Sequence, residues 1–308
     1  MKVLVTGGAG FIGSHLCDAL VAAGHEVVVL DNLSSGCTEN LNTKVRFIQM
    51  DILSDQLKSF FAEERFDIVF HEAAQTMVPY SMKFPAEDAR INITGLVNVL
   101  EAARVTDVKK IVFSSSAAVY GNNDCIPLKE SEPVDPTSFY GLTKITAERY
   151  LQLYYETFGL TYVVLRYSNV YGERQGNGGE GGVVFIFAKA LTENRDLRIF
   201  GDGNQSRDFI YVKDIVQANL RAMGDTVPVG IYNISSNTEV TINQLTEHML
   251  TLAASQVPVH YEDIRTGDIY NSSLDNGKAA ALLGWKPVTS LSAGLADTFD
   301  YFLRRSLK

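Results

Sequence analysis

The chain has 308 residues, 46% hydrophobic and 20% charged, an ordinary globular composition at a length above the usual single-domain size. Its formal net charge of −9 argues against nucleic-acid or anionic-membrane partners, since both need a basic footprint. Three cysteines (Cys17, Cys37, Cys125) and five histidines fall at no metal-ligand or disulfide-framework spacing, so no metal is expected. The chain opens directly into a strand pattern, and no apolar run approaches the roughly 18–20 residues of a membrane span. A cytoplasmic protein is therefore expected.

Lys2–Thr6 is a short apolar run, followed by Gly7–Gly13 and a helical pattern over Phe11–Ala23. Val27–Leu30, Val45–Ile48, Ile68–Phe70, Ile111–Ser114 and Val163–Arg166 read as further buried strands. Helical stretches near 54–64, 83–106 and from Ser138 onward lie between them. This alternation predicts an α/β fold around a doubly wound parallel sheet covered on both faces. After Arg166 the rhythm weakens. Gly172–Gly182 carries six glycines in eleven positions and reads as a mobile loop, of a kind that is disproportionately functional in compact domains. Strands at Leu197–Phe200, Phe209–Val212 and Ile231–Ile234, with helices near 183–193, 213–223, 241–253 and 291–305, complete the pattern. The expected division is a dinucleotide-binding domain at 1–168, to which the segment near 209–235 returns, and a smaller α/β substrate region at 169–208 and 236–308.

Gly7-Gly8-Ala9-Gly10-Phe11-Ile12-Gly13 lies where a strand turns into a helix. Glycines there permit a tight turn and backbone approach to a pyrophosphate, and the helix N-terminus adds free N–H groups. The next strand ends at Asp31, about 20 residues on, as a dinucleotide fingerprint requires. A carboxylate at that place accepts hydrogen bonds from ribose hydroxyls and repels a 2′-phosphate, which favours NAD over NADP. Asp51-Ile52 after the third strand suits the adenine, with a helix N-cap an equal alternative for Asp51.

Tyr140 and Lys144 stand one helical turn apart, so they share a face, and the ammonium can lower the pKa of the phenol. A surface Tyr stacked on a Lys stem has the same spacing. Lys110–Gly121 reads KIVFSSSAAVYG, a buried strand ending in three serines at the edge where open α/β sheets bind ligands. Spacing alone does not choose among the three.

GGAGFIG, Asp31-Asn32, HEAA (71–74), SSSAAVYG, YGLTK and LRYSNVYG (165–172) occur in this order. With them the chain resembles the extended short-chain dehydrogenase/reductase family from Met1 to the C-terminal region, and most closely its UDP-glucose 4-epimerase branch. The resemblance implies a Rossmann-type fold and catalytic roles for Ser116, Tyr140 and Lys144. It implies NAD contacts from Gly7, Gly10, Phe11, Ile12, Gly13, Asp31, Asn32, Asp51, Ile52, Ala73, Ala74, Asn92, Ser114, Tyr140, Lys144 and Tyr167. On the substrate side it implies that Ser116 holds the sugar and that Asn169, Arg207 and Arg265 contact a diphosphate, for which two guanidiniums and an amide are suitable chemistry. Phe200 matches a position whose ring stacks on uracil. Ser272 stands where some epimerases restricted to unsubstituted hexoses carry Tyr, which implies room for N-acetylhexosamines.

The implied chemistry is removal of the sugar 4-hydroxyl proton by Tyr140 while NAD takes the C4 hydride; the 4-keto intermediate turns within the site, and hydride returns to its other face. Ala117-Ala118 stands where related dehydratases carry Asp-Glu and decarboxylases an acidic residue, so epimerisation is favoured over elimination. UDP-glucuronate 4-epimerisation, dehydration, a net oxidoreduction that exchanges NAD(H) with solution, and non-enzymatic NAD binding are the competing readings. The last of these characteristically loses the Tyr or the Lys, and both are present. The resemblance also implies a homodimer through the helices near 83–106 and 138–158.

Overall fold

The computed structural model describes residues 1–176, 181–264 and 269–306. Six strands, β1 (Lys2–Thr6), β2 (Glu26–Asp31), β3 (Arg46–Gln49), β4 (Ile68–His71), β5 (Lys110–Ser116) and β6 (Thr161–Tyr167), join a later strand, Gly230–Ile234, in one seven-stranded sheet. The order is β3-β2-β1-β4-β5-β6 followed by Gly230–Ile234, and every pairing is parallel. Winding reverses between β1 and β4, so a crevice opens beyond their carboxyl ends.

Side chains alternate across each strand, and here both faces are covered. Val3, Val5, Val27 and Val29 pack with Leu16 and Leu20 of helix α1 (Phe11–Ala22) and with Ile215 and Ala218. Leu4, Val28, Val69 and Ile111 pack on the opposite face, under α2 (Leu57–Glu64) and its neighbours. That double burial explains the unbroken apolar runs.

The helix expected near 83–106 is instead four pieces: α3 (Val78–Lys83), α4 (Pro85–Ala89), a π-turn over Arg90–Thr94 and α5 (Gly95–Val105). Pro85 has no N–H to continue α3 and is suited to begin a new helix. The π-turn holds one residue more than an α-turn, which changes the direction of the side chains it carries.

Beyond β6 a second core forms around Phe187, Leu191, Leu197, Ile199, Leu245, Met249 and Leu295. Three short strand pairs support it: Asn169–Tyr171 with Phe209–Tyr211, Ser206–Arg207 with Val240–Thr241, and Leu197–Phe200 with Val259–Glu262. Most of these strands are too short to show a period of two. Helix Val212–Ala222 then packs on α1, and Gly230–Ile234 pairs with β6.

One buried ion pair fastens helix α6 (Phe139–Phe158) to this sheet. Arg166 of β6 donates through Nε and Nη2 to Glu148 Oε1 at 2.9 Å and Oε2 at 2.6 Å. Ser115 Oγ donates to the same carboxylate at 2.5 Å, and the guanidinium lies 4.8 Å from the Tyr120 ring centroid. Both ionic side chains are almost wholly shielded from water. Glu148→Leu leaves the guanidinium without a counter-charge, and a loss of about 3–5 kcal/mol in urea unfolding is expected. Most of it should return in Glu148→Leu combined with Arg166→Leu.

Candidate active site

A cavity of about 750 Å³ runs from the β1–α1 turn to the start of α6. Gly7 has φ of +71°, and a Cβ there would collide with the backbone of Ala73. Gly13 lies against the carbonyl of Gly7, with no room for a side chain. Gly10 begins α1 without a side-chain cap, so its first-turn N–H groups and dipole are available to an anion. At the end of β2, Asp31 accepts from Ala9 N at 3.0 Å and from Leu33 N at 2.8 Å, tying the carboxylate to the glycine turn. Asn32 Nδ2 donates to Asp51 Oδ2 at 2.9 Å. Asp51 also accepts from Leu53 N at 2.9 Å, and α2 begins only at Leu57 with Gln56 before it, so Asp51 does not cap that helix. A turn without side chains, an uncapped helix N-terminus and a carboxylate at the second strand end together fit a dinucleotide.

At the other end, Ser138 caps α6 by accepting from Gly141 N at 3.1 Å, and Tyr140 N donates to Ser81 Oγ at 3.1 Å. Gly141 lets the helix approach the carbonyl of Ala118, which a Cβ would overlap. Lys144 Nζ donates to the Ser114 carbonyl at 2.7 Å and lies 5.7 Å from the Tyr140 ring centroid. Burial lowers the Lys144 pKa to about 8, against the charges of Glu72, Asp88 and Glu148. The Tyr140 phenol is pushed up to about 12 by burial, opposed by a hydrogen bond from Ser116 and reinforced by the charges of Asp88 and Glu72. The lowering of the phenol by Lys144 that the spacing suggests is not among the causes of this shift: the ammonium is bonded to the Ser114 carbonyl, and desolvation of the phenolate dominates.

The three serines, indistinguishable by spacing, separate by partner. Ser114 Oγ donates to Tyr167 at 3.0 Å, Ser115 Oγ to Glu148, and Ser116 is the one beside Tyr140. Ser116 Oγ also accepts from Ala118 N at 3.2 Å, which orients it at the head of the turn Ala117–Tyr120.

Gly7, Gly10, Phe11, Ile12, Gly13, Asp31, Asn32, Asp51, Ile52, Ala73, Ala74, Ser114, Ser116, Tyr140, Lys144, Tyr167 and Asn169 all line this cavity. Asn92 stands behind its wall, accepting from Gln75 N at 2.8 Å and donating to Gln75 O at 2.9 Å and Thr143 Oγ1 at 3.2 Å. Arg207, Ser272 and Phe200 are not part of the lining. Arg207 donates to the carbonyls of Ser206 and Tyr270, Ser272 N donates to Ser206 O, and Phe200 ends the strand Leu197–Phe200. Arg265 lies outside the described residues. The cavity also holds Glu72, Gln75 and Arg174, none of which the sequence reading selected. For Glu72 the available signal was an acid directly after the buried strand Ile68–His71, at the carboxyl edge of the sheet.

Residues 3–235 match the NAD dependent epimerase/dehydratase family. The chain belongs to that family. Over 312 residues it is 40% identical to the UDP-glucose 4-epimerase of Mycolicibacterium smegmatis, covering 99% of this chain and 100% of the relative. The crystal structure of UDP-glucose 4-epimerase from Thermotoga maritima with UDP-glucose is similar at a TM-score of 0.96 and 43% identity, with 100% of both chains covered. UDP-N-acetylglucosamine 4-epimerase from Methanobrevibacter ruminantium, in complex with UDP-N-acetylmuramic acid, gives a TM-score of 0.93 at 39% identity, covering 99% of this chain and 98% of its own. As a member of the NAD-dependent epimerase/dehydratase family the protein uses NAD, for which the glycine turn and Asp31 are suited. Among the described residues no group of three or more His, Cys, Asp or Glu is placed to hold a metal ion, and no helix is long and apolar enough to cross a membrane.

Lys144 titrates near 8 in the folded protein against 10.5 when exposed. The native state therefore binds fewer protons than the unfolded chain between those values, and stability from this group rises with pH across that window. Below it the full burial penalty applies. Lys144→Met should be more stable than wild type at neutral pH by on the order of 3 kcal/mol, with the difference closing toward the top of the window. Urea unfolding at the two pH extremes measures this.

Proposed function

We propose that the protein is an NAD-dependent nucleotide-sugar 4-epimerase that interconverts UDP-glucose and UDP-galactose and also accepts UDP-N-acetylhexosamines. The observation that carries this reading is the meeting of Ser116 and Tyr140 in one cavity with the dinucleotide turn, while the adjoining turn offers only Ala117 and Ala118. Such a site can move one proton off and back onto a sugar hydroxyl, while the turn that follows Ser116 carries no acid for elimination. The relatives acting on UDP-glucose and on UDP-N-acetylglucosamine both match across nearly the whole chain, which supports the breadth assigned here.

NAD bound at the glycine turn supplies the hydride acceptor for the sugar C4. Tyr140 takes the proton of the 4-hydroxyl, with Ser116 donating to the same oxygen and Lys144 holding positive charge at the strand end. The phenol stands at about 12, so the cationic cofactor contributes to lowering it when bound. With the cofactor bound, the 4-keto sugar would turn so that hydride returns to the other face of C4, and Tyr140 would give its proton back to the C4 oxygen. In this reading residues 1–168 with the segment near 209–235 carry NAD. Residues 169–208 and 236–308 carry the UDP moiety, with Asn169, Arg207 and Arg265 toward the diphosphate, Phe200 toward uracil and Ser272 leaving space beside the sugar.

NMR of product mixtures tests this. UDP-galactose should form from UDP-glucose with no net appearance of reduced nicotinamide, and Tyr140→Phe should lower turnover at least about 100-fold with NAD still bound. Ser272→Tyr should retain turnover of UDP-glucose and lose that of UDP-N-acetylglucosamine. A keto-deoxy sugar, release of carbon dioxide, or turnover of UDP-glucuronate alone would replace the reading.

The enzyme is further proposed to act in the cytoplasm as a homodimer. Val105 at the end of α5 and Leu142, Leu153 and Phe158 on α6 are each about half exposed, an apolar surface that a second copy would cover. Leu153→Glu with Phe158→Glu should shift a dimeric mass in light scattering to that of one chain. A wild-type protein of single-chain mass would rule the dimer out.

A further inference from the structure

The inner wall of the cavity carries one carboxyl that the reaction above leaves unused. Glu72 follows β4 directly and lines the cavity together with Ser114, Tyr167, Tyr140 and Lys144. Its environment fixes its hydrogen-bonding role. The Tyr167 hydroxyl accepts from Ser114 Oγ at 3.0 Å and from Asn219 Nδ2 at 2.8 Å. Its own hydrogen is then left for Glu72 Oε1, 3.5 Å away. A phenol already holding two donors offers Glu72 a hydrogen and takes none from it, which is the arrangement for an acceptor carboxylate.

This carboxylate is poorly matched by the protein. Among the described residues no ion pair to Glu72 is formed, and Lys144, whose field it feels, is bonded to the Ser114 carbonyl. Glu148, by contrast, is fully paired with Arg166. Burial raises the pKa of Glu72, while the Ser114 hydroxyl, the charge of Lys144 and the hydrogen bond from Tyr167 oppose the rise. The cavity thus holds, beside Tyr140, a carboxyl whose ionised form has no ion-pair partner among the described residues and would be favoured by an entering cation. Tyr140 and the hydride acceptor must address the same sugar carbon, so the acceptor ring lies within this part of the cavity. Oxidised nicotinamide is a cation and reduced nicotinamide is neutral.

We propose that Glu72 is the fixed counter-charge of the oxidised nicotinamide, so that the protein itself biases the bound cofactor toward NAD and drives the hydride back to the sugar. The inference rests on the epimerase reading for where the acceptor ring lies. In the forward half-reaction the C4–H bond breaks with its electron pair going to the ring, and the hydroxyl proton goes to Tyr140. The positive charge facing Glu72 disappears in that step and reappears when the hydride returns. A reduced cofactor is therefore the strained state of this site, and the keto sugar is recaptured instead of accumulating.

Competition titrations followed by NADH fluorescence give the affinity ratio of NADH to NAD for wild type, Glu72→Gln and Glu63→Gln. Glu72→Gln keeps shape and an acceptor for Tyr167 but removes the charge. Its ratio should move toward NADH by about tenfold or more, and bound NADH should build up during incubation with UDP-glucose. Glu63→Gln, which removes an exposed carboxylate outside the cavity, should leave the ratio unchanged. An unaltered ratio in Glu72→Gln protein with a cooperative melting transition overturns the inference, as does an equal shift in Glu63→Gln. Because the ratio is read without turnover, a wild type that fails to epimerise UDP-glucose would instead overturn the functional reading.

Discussion

The ion pair between Glu148 and Arg166 holds helix α6 at a set height above the sheet. Tyr140, Lys144 and Glu148 follow one another at four-residue steps on a single face of α6, so fixing the lowest of them fixes the column. Arg166 binds Glu148 with two parallel hydrogen bonds, an orientation that resists rotation as well as sliding. Ser115 bonds the same carboxylate while its neighbour Ser114 receives Lys144 through its carbonyl. Helix and strand end are therefore joined at two successive turns. A buried pair of this kind is not needed for stability as such; its contribution here is precision.

Above that joint the site is electrically unfinished. Lys144 is the one ammonium bonded at the serine strand end, while Glu72 and Asp88 both bring negative charge to it and to Tyr140. Burial lowers the Lys144 pKa and raises that of Tyr140 at once, so the charged form of each is disfavoured. A cationic ring entering the cavity changes the balance for all of them together. On this view the cofactor completes the electrostatics of the site in addition to accepting a hydride.

Much of this was legible before any coordinates, for physical reasons that can be named. The glycine turn, Asp31 and the Tyr140–Lys144 spacing depend on local geometry, since a strand-to-helix turn and a four-residue helical step are short-range constraints. All of them line the one cavity. What escaped depends on packing. The π-turn that carries Asn92, and its hydrogen bonds with Gln75, left no trace in the residue pattern. Nor does a four-residue spacing report the loss of water around the Tyr140 phenol, which is the largest cause of its raised pKa. Glu72 was passed over as part of a motif, because its significance lies in Tyr167 and Asn219, far along the chain. The short strands past β6 carried no period to detect.

The place of Gly230–Ile234 in the sheet has a consequence for biosynthesis. β6 carries Val163, Val164 and Leu165, all fully buried, and its outer hydrogen-bonding edge is closed only by Gly230–Ile234. During translation the ribosome must therefore deliver the whole intervening segment, including Phe187, Leu191 and other members of the second core, while an apolar edge strand stands open. Exposed edges of this type template association with other chains. The two cores are thus bound to mature together, and the nascent protein passes through an interval in which chaperone protection of β6 matters more than at any later stage.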